Sequence, residues 1–203
     1  MILPQSHTLT TRHLNRVFDN TVATYKYYWF LGILDACVKQ DKSRINVWDI
    51  MISMVANAWY PVNYFRLSFG KSESLYDAII TLQREYNIPI NISINELTEL
   101  LQTLIQRREV RRLLNFLQMN VPFRFLRPWI DTSDDKQTVL RSQTFENGCL
   151  YKLEKIDRIW WVEINPAWLP YLRENYDILT SFAYWGLTNF LQVKAAKYNN
   201  KNE

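Results

Sequence analysis

Arg107, Arg108, Arg111 and Arg112 recur at i, i+1, i+4 and i+5. On a helix that spacing gathers them into one stripe, because positions three and four apart share a face. A guanidinium forks onto two phosphate oxygens, so such a stripe suits a nucleic-acid backbone. Arg124 and Arg127 extend the series, interleaved with Phe123, Phe125 and Trp129. A solvated face with Glu109 as local partner, or arginine stems laid over rings, would leave the same pattern.

A second group lies between Asn57 and Lys71, where Trp59, Tyr60, Tyr64, Phe65 and Phe69 are interleaved with Asn63, Arg66 and Lys71. Rings such as Tyr64 can stack bases while Arg66 and Lys71 meet phosphates. The plainer alternative is packing between helices, with the tyrosine hydroxyls satisfied at the rim.

Groups for catalysis are scarce. Asp131, Asp134 and Asp135 are close in sequence, and Asp157 and Glu163 flank a strand. Paired acids could hold Mg²⁺ for phosphodiester hydrolysis. The first set reads as a solvated loop; in the second, Asn165 stands where a Lys two residues beyond Glu163 would be wanted. The two histidines, His7 and His13, are both in the N-terminal stretch, and there is no CxxC. The chain has no P-loop, no GxGxxG and no GxSxG. Cys37 and Cys149 both fall in apolar patterns and read as small, unpaired, buried thiols of a reducing compartment. No catalytic residue, metal ligand or cofactor is therefore expected in this chain.

Composition sets the frame. Of 203 residues, 48% are hydrophobic and 15% aromatic, enough for a sizeable core. Only four glycines argue against an all-β design rich in tight turns. A net charge of +4 and a pI near 9.0 suit an anionic partner. The apolar run Tyr27 to Leu34 is far shorter than the ~20 residues of a membrane span. Met1 to Thr10 lacks the basic start and apolar run of a secretory signal. A cytoplasmic location and no membrane partner are expected.

Periodicity gives the elements that must position these groups. Residues 1–20 form an arm or short helix. Apolar spacing predicts helices over 21–40, with Asn20 or Thr21 as cap, and over 46–59, with Asn46 as cap and Pro61 as the stop. A third runs from Ser72 to about Tyr86, and Glu73 suits its first turn. A long helix runs from Ser93 or Asn95 to about Met119 and carries the arginine stripe. Pro122 and Pro128 break the chain, and 131–136 is a charged loop. Alternation over 148–164 predicts a β-hairpin turning at Glu154–Arg158. Its Trp160-Trp161 pair sends one ring to each face. Asn165-Pro166 opens a short helix to 174, and a last helix spans 177–197.

Several strings resemble the N-terminal region of bacterial, Bacteroides-type HNH endonuclease-like proteins. They are Val17 through Phe30, Asn57 through Lys71, Arg124 through Trp129, Phe182 through Trp185, and Leu187 through Gln192. In that family a ββα-metal nuclease module follows this region and binds one divalent metal. The chain stops about where that module would begin, and no residue here matches its histidines or metal ligands. The resemblance implies association with a nuclease system acting on DNA, as in defence, without implying that this chain cuts.

The expectation is a mainly α-helical domain over 21–197 with one small β-hairpin, a sub-boundary near 87–93 and a frayed tail over 198–203. Its expected function is noncatalytic nucleic-acid binding or regulation, with DNA or an associated nuclease module as partner. Arg107, Arg108, Arg111, Arg112, Arg124 and Arg127 would contact phosphates, assisted by Arg66, Lys71 and Tyr64. The alternatives are an interaction scaffold whose exposed aromatics dock a partner or a second copy, and a metal-dependent nuclease with an unrecognised acidic site.

Overall fold

The computed structural model describes residues 3–19, 21–67 and 73–199. Their elements are α1 (Thr11–Arg16), α2 (Tyr25–Leu34), β1 (Arg44–Asn46), α3 (Val47–Asn63), α4 (Ser74–Glu85), α5 (Ile94–Leu104), α6 (Arg108–Leu126), α7 (Asp135–Ser142), β2 (Tyr151–Ile156), β3 (Ile159–Ile164), α8 (Trp168–Glu174) and α9 (Tyr176–Asn199). The fold is mainly helical with one small antiparallel sheet, as composition and periodicity indicated.

The core is built around α2, whose residues from Tyr27 to Leu34 are all buried. A helix apolar on every side must be covered on every side, and α3, α6 and α9 all pack on it. Two glycines permit the closest approaches. A Cβ on Gly32 would come within 2.9 Å of Ile50 Cγ2 on α3, and one on Gly186 of α9 within 2.7 Å of the Tyr27 ring. Trp29, Trp59, Trp129 and Trp168 are fully buried. Burial of each such large side chain contributes roughly 1.5–3 kcal/mol. Leu3, Leu14 and Val17 bring the N-terminal stretch into the same core.

Helix 21–40 is shorter at its start and changes pitch at its end. It begins at Tyr25, and the side chain of its N-cap residue Thr24 caps no helix N–H; the expected cap Thr21 lies three residues earlier and donates its hydroxyl to Phe18 O. From Asp35 to Lys39 it widens into a π turn. Asn46 does cap α3, accepting the N–H of Trp48 at 2.8 Å.

Both interior prolines are tolerated. Pro61 lies inside α3, which runs on to Asn63, and Pro122 lies inside α6. Proline deletes one ladder bond. The turns around these two are held by buried side chains, Trp59 and Val62 in one case, Phe123 and Phe125 in the other. The carbonyl of Pro122 also accepts from the hydroxyl of Tyr151 at 2.6 Å.

The long helix expected from 93 to 119 is two helices. α5 opens with a capping box between Ser93 and Glu96 and ends at Leu104. Arg107 is then extended, at φ −78° and ψ 136°, and starts α6. The charged stretch 131–136 also resolves differently: Asp134 accepts the N–H of Lys136 at 2.8 Å and opens α7.

The hairpin is present, with a tighter turn than expected. Ile156 pairs with Ile159, leaving Asp157 and Arg158 as a two-residue turn, both at positive φ. That is the turn whose twist suits a hairpin. A third strand, β1, adds to the far edge of β3 and gives the order β1-β3-β2. Trp160 and Trp161 do point to opposite faces. Trp160 meets Phe123 edge-on at 5.2 Å, and Trp161 lies under the guanidinium of Arg44 at 5.4 Å.

Candidate functional site

Arg124 stands on the last turn of α6, and Arg127 is its C-cap. Both line a cleft of about 670 Å³ whose other wall comes from α1, the α1–α2 connection and the first turn of α2. Arg16 and Lys26 join them there, and Asp19 and Asp131 are the acids of the lining. Four cations therefore face two carboxylates. Among the described residues, Arg16, Arg124 and Arg127 make no ion pair.

Lys26 is held at the cleft wall by donating to Val17 O at 2.7 Å. Burial lowers its ammonium below the ordinary lysine range, and the nearby guanidinium groups of Arg127 and Arg124 push the same way, against Asp19. Like charges so gathered repel one another, and the two carboxylates of the lining are outnumbered. Tyr25 and Phe116 add aromatic edges to the same cleft, their rings 5.7 Å apart.

The α6 N-terminal arginines are placed elsewhere. Sixteen helical steps separate Arg108 from Arg124, about 24 Å along the axis at a rise of about 1.5 Å per residue. Arg111 donates Nε to Ile105 O at 2.8 Å and a terminal nitrogen to Gln106 Oε1 at 3.1 Å, and it lies over Trp48. It thus caps the C-terminal end of α5. Arg107, off the helix, stacks over Tyr86 at 5.3 Å. The single four-arginine stripe is therefore broken: Arg107 and Arg111 hold the α5–α6 joint, while Arg108 and Arg112 are exposed.

The aromatic segment divides. Trp59 is buried, and Tyr60 donates its hydroxyl to Ile92 O at 2.6 Å. Tyr64 is 57% exposed and meets Tyr60 and Phe65 edge-on. Arg66 is exposed at positive φ where the chain leaves α3. Neither Tyr64 nor Arg66 lines the cleft, and Phe69 and Lys71 lie outside the described residues.

The acids are dispersed. Asp134 caps α7, Glu163 pairs with Lys152 at 3.0 Å, and Asp157 forms the hairpin turn. Among the described residues no three His, Cys, Asp or Glu side chains converge as metal ligands. Both cysteines are free and buried, and burial raises each thiol to about 12.

Residues to which the sequence assigned no polar role form a second cluster on the π turn. Asp35 accepts from Lys39 at 2.7 Å, Tyr176 at 3.0 Å, Asn57 at 3.3 Å and Ser53 at 3.4 Å, and Tyr184 donates to Asn57 at 3.2 Å. These groups satisfy one another and fasten α2, α3 and α9 together. The apolar spacing over 33–40 carries no mark of the π turn that gathers them.

No family model, no curated protein and no solved structure matches this chain. The cleft geometry stands by itself. Residues from 16–26 and from 116–131 face each other across it. Among the described residues no helix is long and apolar enough to cross a membrane.

Proposed function

We propose that the chain binds nucleic acid without cutting it, through phosphates held in the cleft of Arg16, Lys26, Arg124 and Arg127. The supporting observation is the concentration of cations there with no ion-pair partner for the three arginines. Arginines kept for internal stability are held by an acid, as Arg141 is by Glu146, or by carbonyls and rings, as Arg111 is at the α5–α6 joint. Among the described residues, Arg16, Arg124 and Arg127 have no such ion pair and line one cleft together. The resemblance to HNH-type N-terminal regions would set this binding beside a nuclease acting on DNA, and two buried free thiols fit the cytoplasm. The test is oligonucleotide binding at low and physiological salt, for wild type and for Arg124→Ala/Arg127→Ala. Loss of affinity in the double variant with an intact fold supports the reading.

A second reading, docking of a protein partner or a second copy, draws on Tyr64, Phe65 and Leu67, exposed together where α3 ends. Its test is the mass of the particle in solution for wild type and Phe65→Ser.

A further inference from the structure

The cationic cleft does not stand alone. A second groove of about 450 Å³ opens beside it, and Asp19 and Thr21 line both. Its walls are aromatic: Phe18, Tyr27, Phe182, Trp185 and Phe190. Phe18 and Tyr27 stack on one another, with centroids 4.9 Å apart and planes at 14°, and form the packed floor of the groove. Trp185 is 52% exposed, a large ring left open to solvent at the groove wall. Asn15 and Asn189 supply amide groups to the same lining. Gly186 contributes no side chain between Trp185 and the rings below it.

We infer that the ligand is a single-stranded nucleic acid, with phosphates in the cationic cleft and a base in the adjoining aromatic groove. This rests on the reading of the cleft given above. Three features carry it. Phosphate and base are one nucleotide apart, and the cleft and groove share two lining residues. Aromatic faces stack any base, while the amides of Asn15 and Asn189 can meet base edges. In a duplex the bases are stacked inward and cannot enter a groove in the protein, whereas unpaired bases can be splayed into one. A binder of duplex backbone alone would have no use for a tryptophan ring open to solvent in a groove that adjoins its cationic cleft. Residues of α9 from Phe182 to Val193 supply one groove wall, and Asn15, Phe18, Asp19, Thr21 and Tyr27 the other.

The test uses the full chain, fluorescently labelled single strands of DNA and of RNA of about 15 nucleotides, and the matching DNA duplex. Affinity is read by anisotropy at about 50 mM salt. Single strands should bind at least about tenfold tighter than duplex, and comparison of the two sugars names the source. Trp185→Ala should weaken single-strand binding roughly 5- to 100-fold, as expected for loss of one stacked base. Trp185→Phe should restore most of it. Circular dichroism checks that each variant is folded. Equal affinity for duplex, or an unchanged Trp185→Ala, overturns the inference while leaving the cleft reading intact if Arg124→Ala/Arg127→Ala still weakens binding. No binding of any polymer overturns both.

Discussion

The ammonium of Lys26 donates to the carbonyl oxygen of Val17 at 2.7 Å, tying the first turn of α2 to the end of α1 on the wall of the cleft. The bond fixes a cation where burial and two guanidinium groups lower its pKa. For a base with a lowered folded pKa, charge is shed at a pH below the usual lysine range. Binding that uses this charge should fall earlier on the alkaline side than for an ordinary lysine. Lys26→Arg should keep affinity to higher pH, and Lys26→Met should cost roughly 1.5–3 kcal/mol of binding at neutral pH. Anisotropy titrations over a pH series read both.

Arginines at the two ends of α6 should separate by phenotype. Arg111→Ala removes a cap, a side-chain bond and a ring contact at the α5–α6 joint. Its melting temperature should fall, by about 1–2 kcal/mol of stability, with little change in oligonucleotide affinity. Arg124→Ala should do the reverse, since its side chain carries no partner to lose.

Glu73 sets the pH response of stability. It is 2% exposed and accepts the backbone N–H of Thr24 at 2.8 Å, so it caps α2 from outside that helix, not its own α4. Burial raises its pKa from 4.5 against those bonds. An acid whose folded pKa is raised contributes stability in full below its unfolded pKa and loses it as pH rises through the folded value. Denaturation midpoints of wild type should therefore decline relative to Glu73→Gln as pH rises from about 4.5. Glu73→Ala should be destabilised at every pH, by roughly 1–3 kcal/mol, because the Thr24 N–H is left buried and unpaired. A wild type that gains on Glu73→Gln with rising pH would contradict this account.

A buried relay joins three elements. Trp29 donates to the Tyr151 hydroxyl at 3.2 Å, and that hydroxyl donates to Pro122 O. Tyr151→Phe strands both partners, each at roughly 1–3 kcal/mol. Chemical denaturation should show a lowered midpoint with an unchanged slope.

Cys37 and Cys149 should resist thiol reagents in the folded protein, since burial raises both thiols to about 12. Colorimetric thiol titration should find both reactive only after unfolding.

What the sequence made legible depends on how local each cause is. The hairpin was readable because Val162 and Ile164 alternate with outward residues, though a turn of Asp157 and Arg158 without glycine hid its tightness. The cap at Asn46 was readable from one residue and its successors. The break between α5 and α6 was not, because no Gly or Pro marks residues 105–107 and the apolar spacing runs through them. Pro61 and Pro122 misled because packing of the surrounding turns outweighs one lost bond. The arginine stripe loses Arg107 to the break between α5 and α6, while Arg108, Arg111 and Arg112 remain on α6. Arg124 and Arg127 were legible as basic residues, but their company was not. Lys26 is about a hundred positions away, and only the fold brings it to them.

The central claim is that the cleft holds nucleic-acid phosphates. Its most direct test is the salt dependence of oligonucleotide affinity for wild type and Arg124→Ala/Arg127→Ala. Wild type should bind at low salt and weaken steeply toward physiological salt. The double variant should bind more weakly, with the slope of log affinity against log salt reduced by about 1.4 for two lost phosphate contacts. No binding by wild type at low salt, or identical slopes for the two proteins, would contradict it.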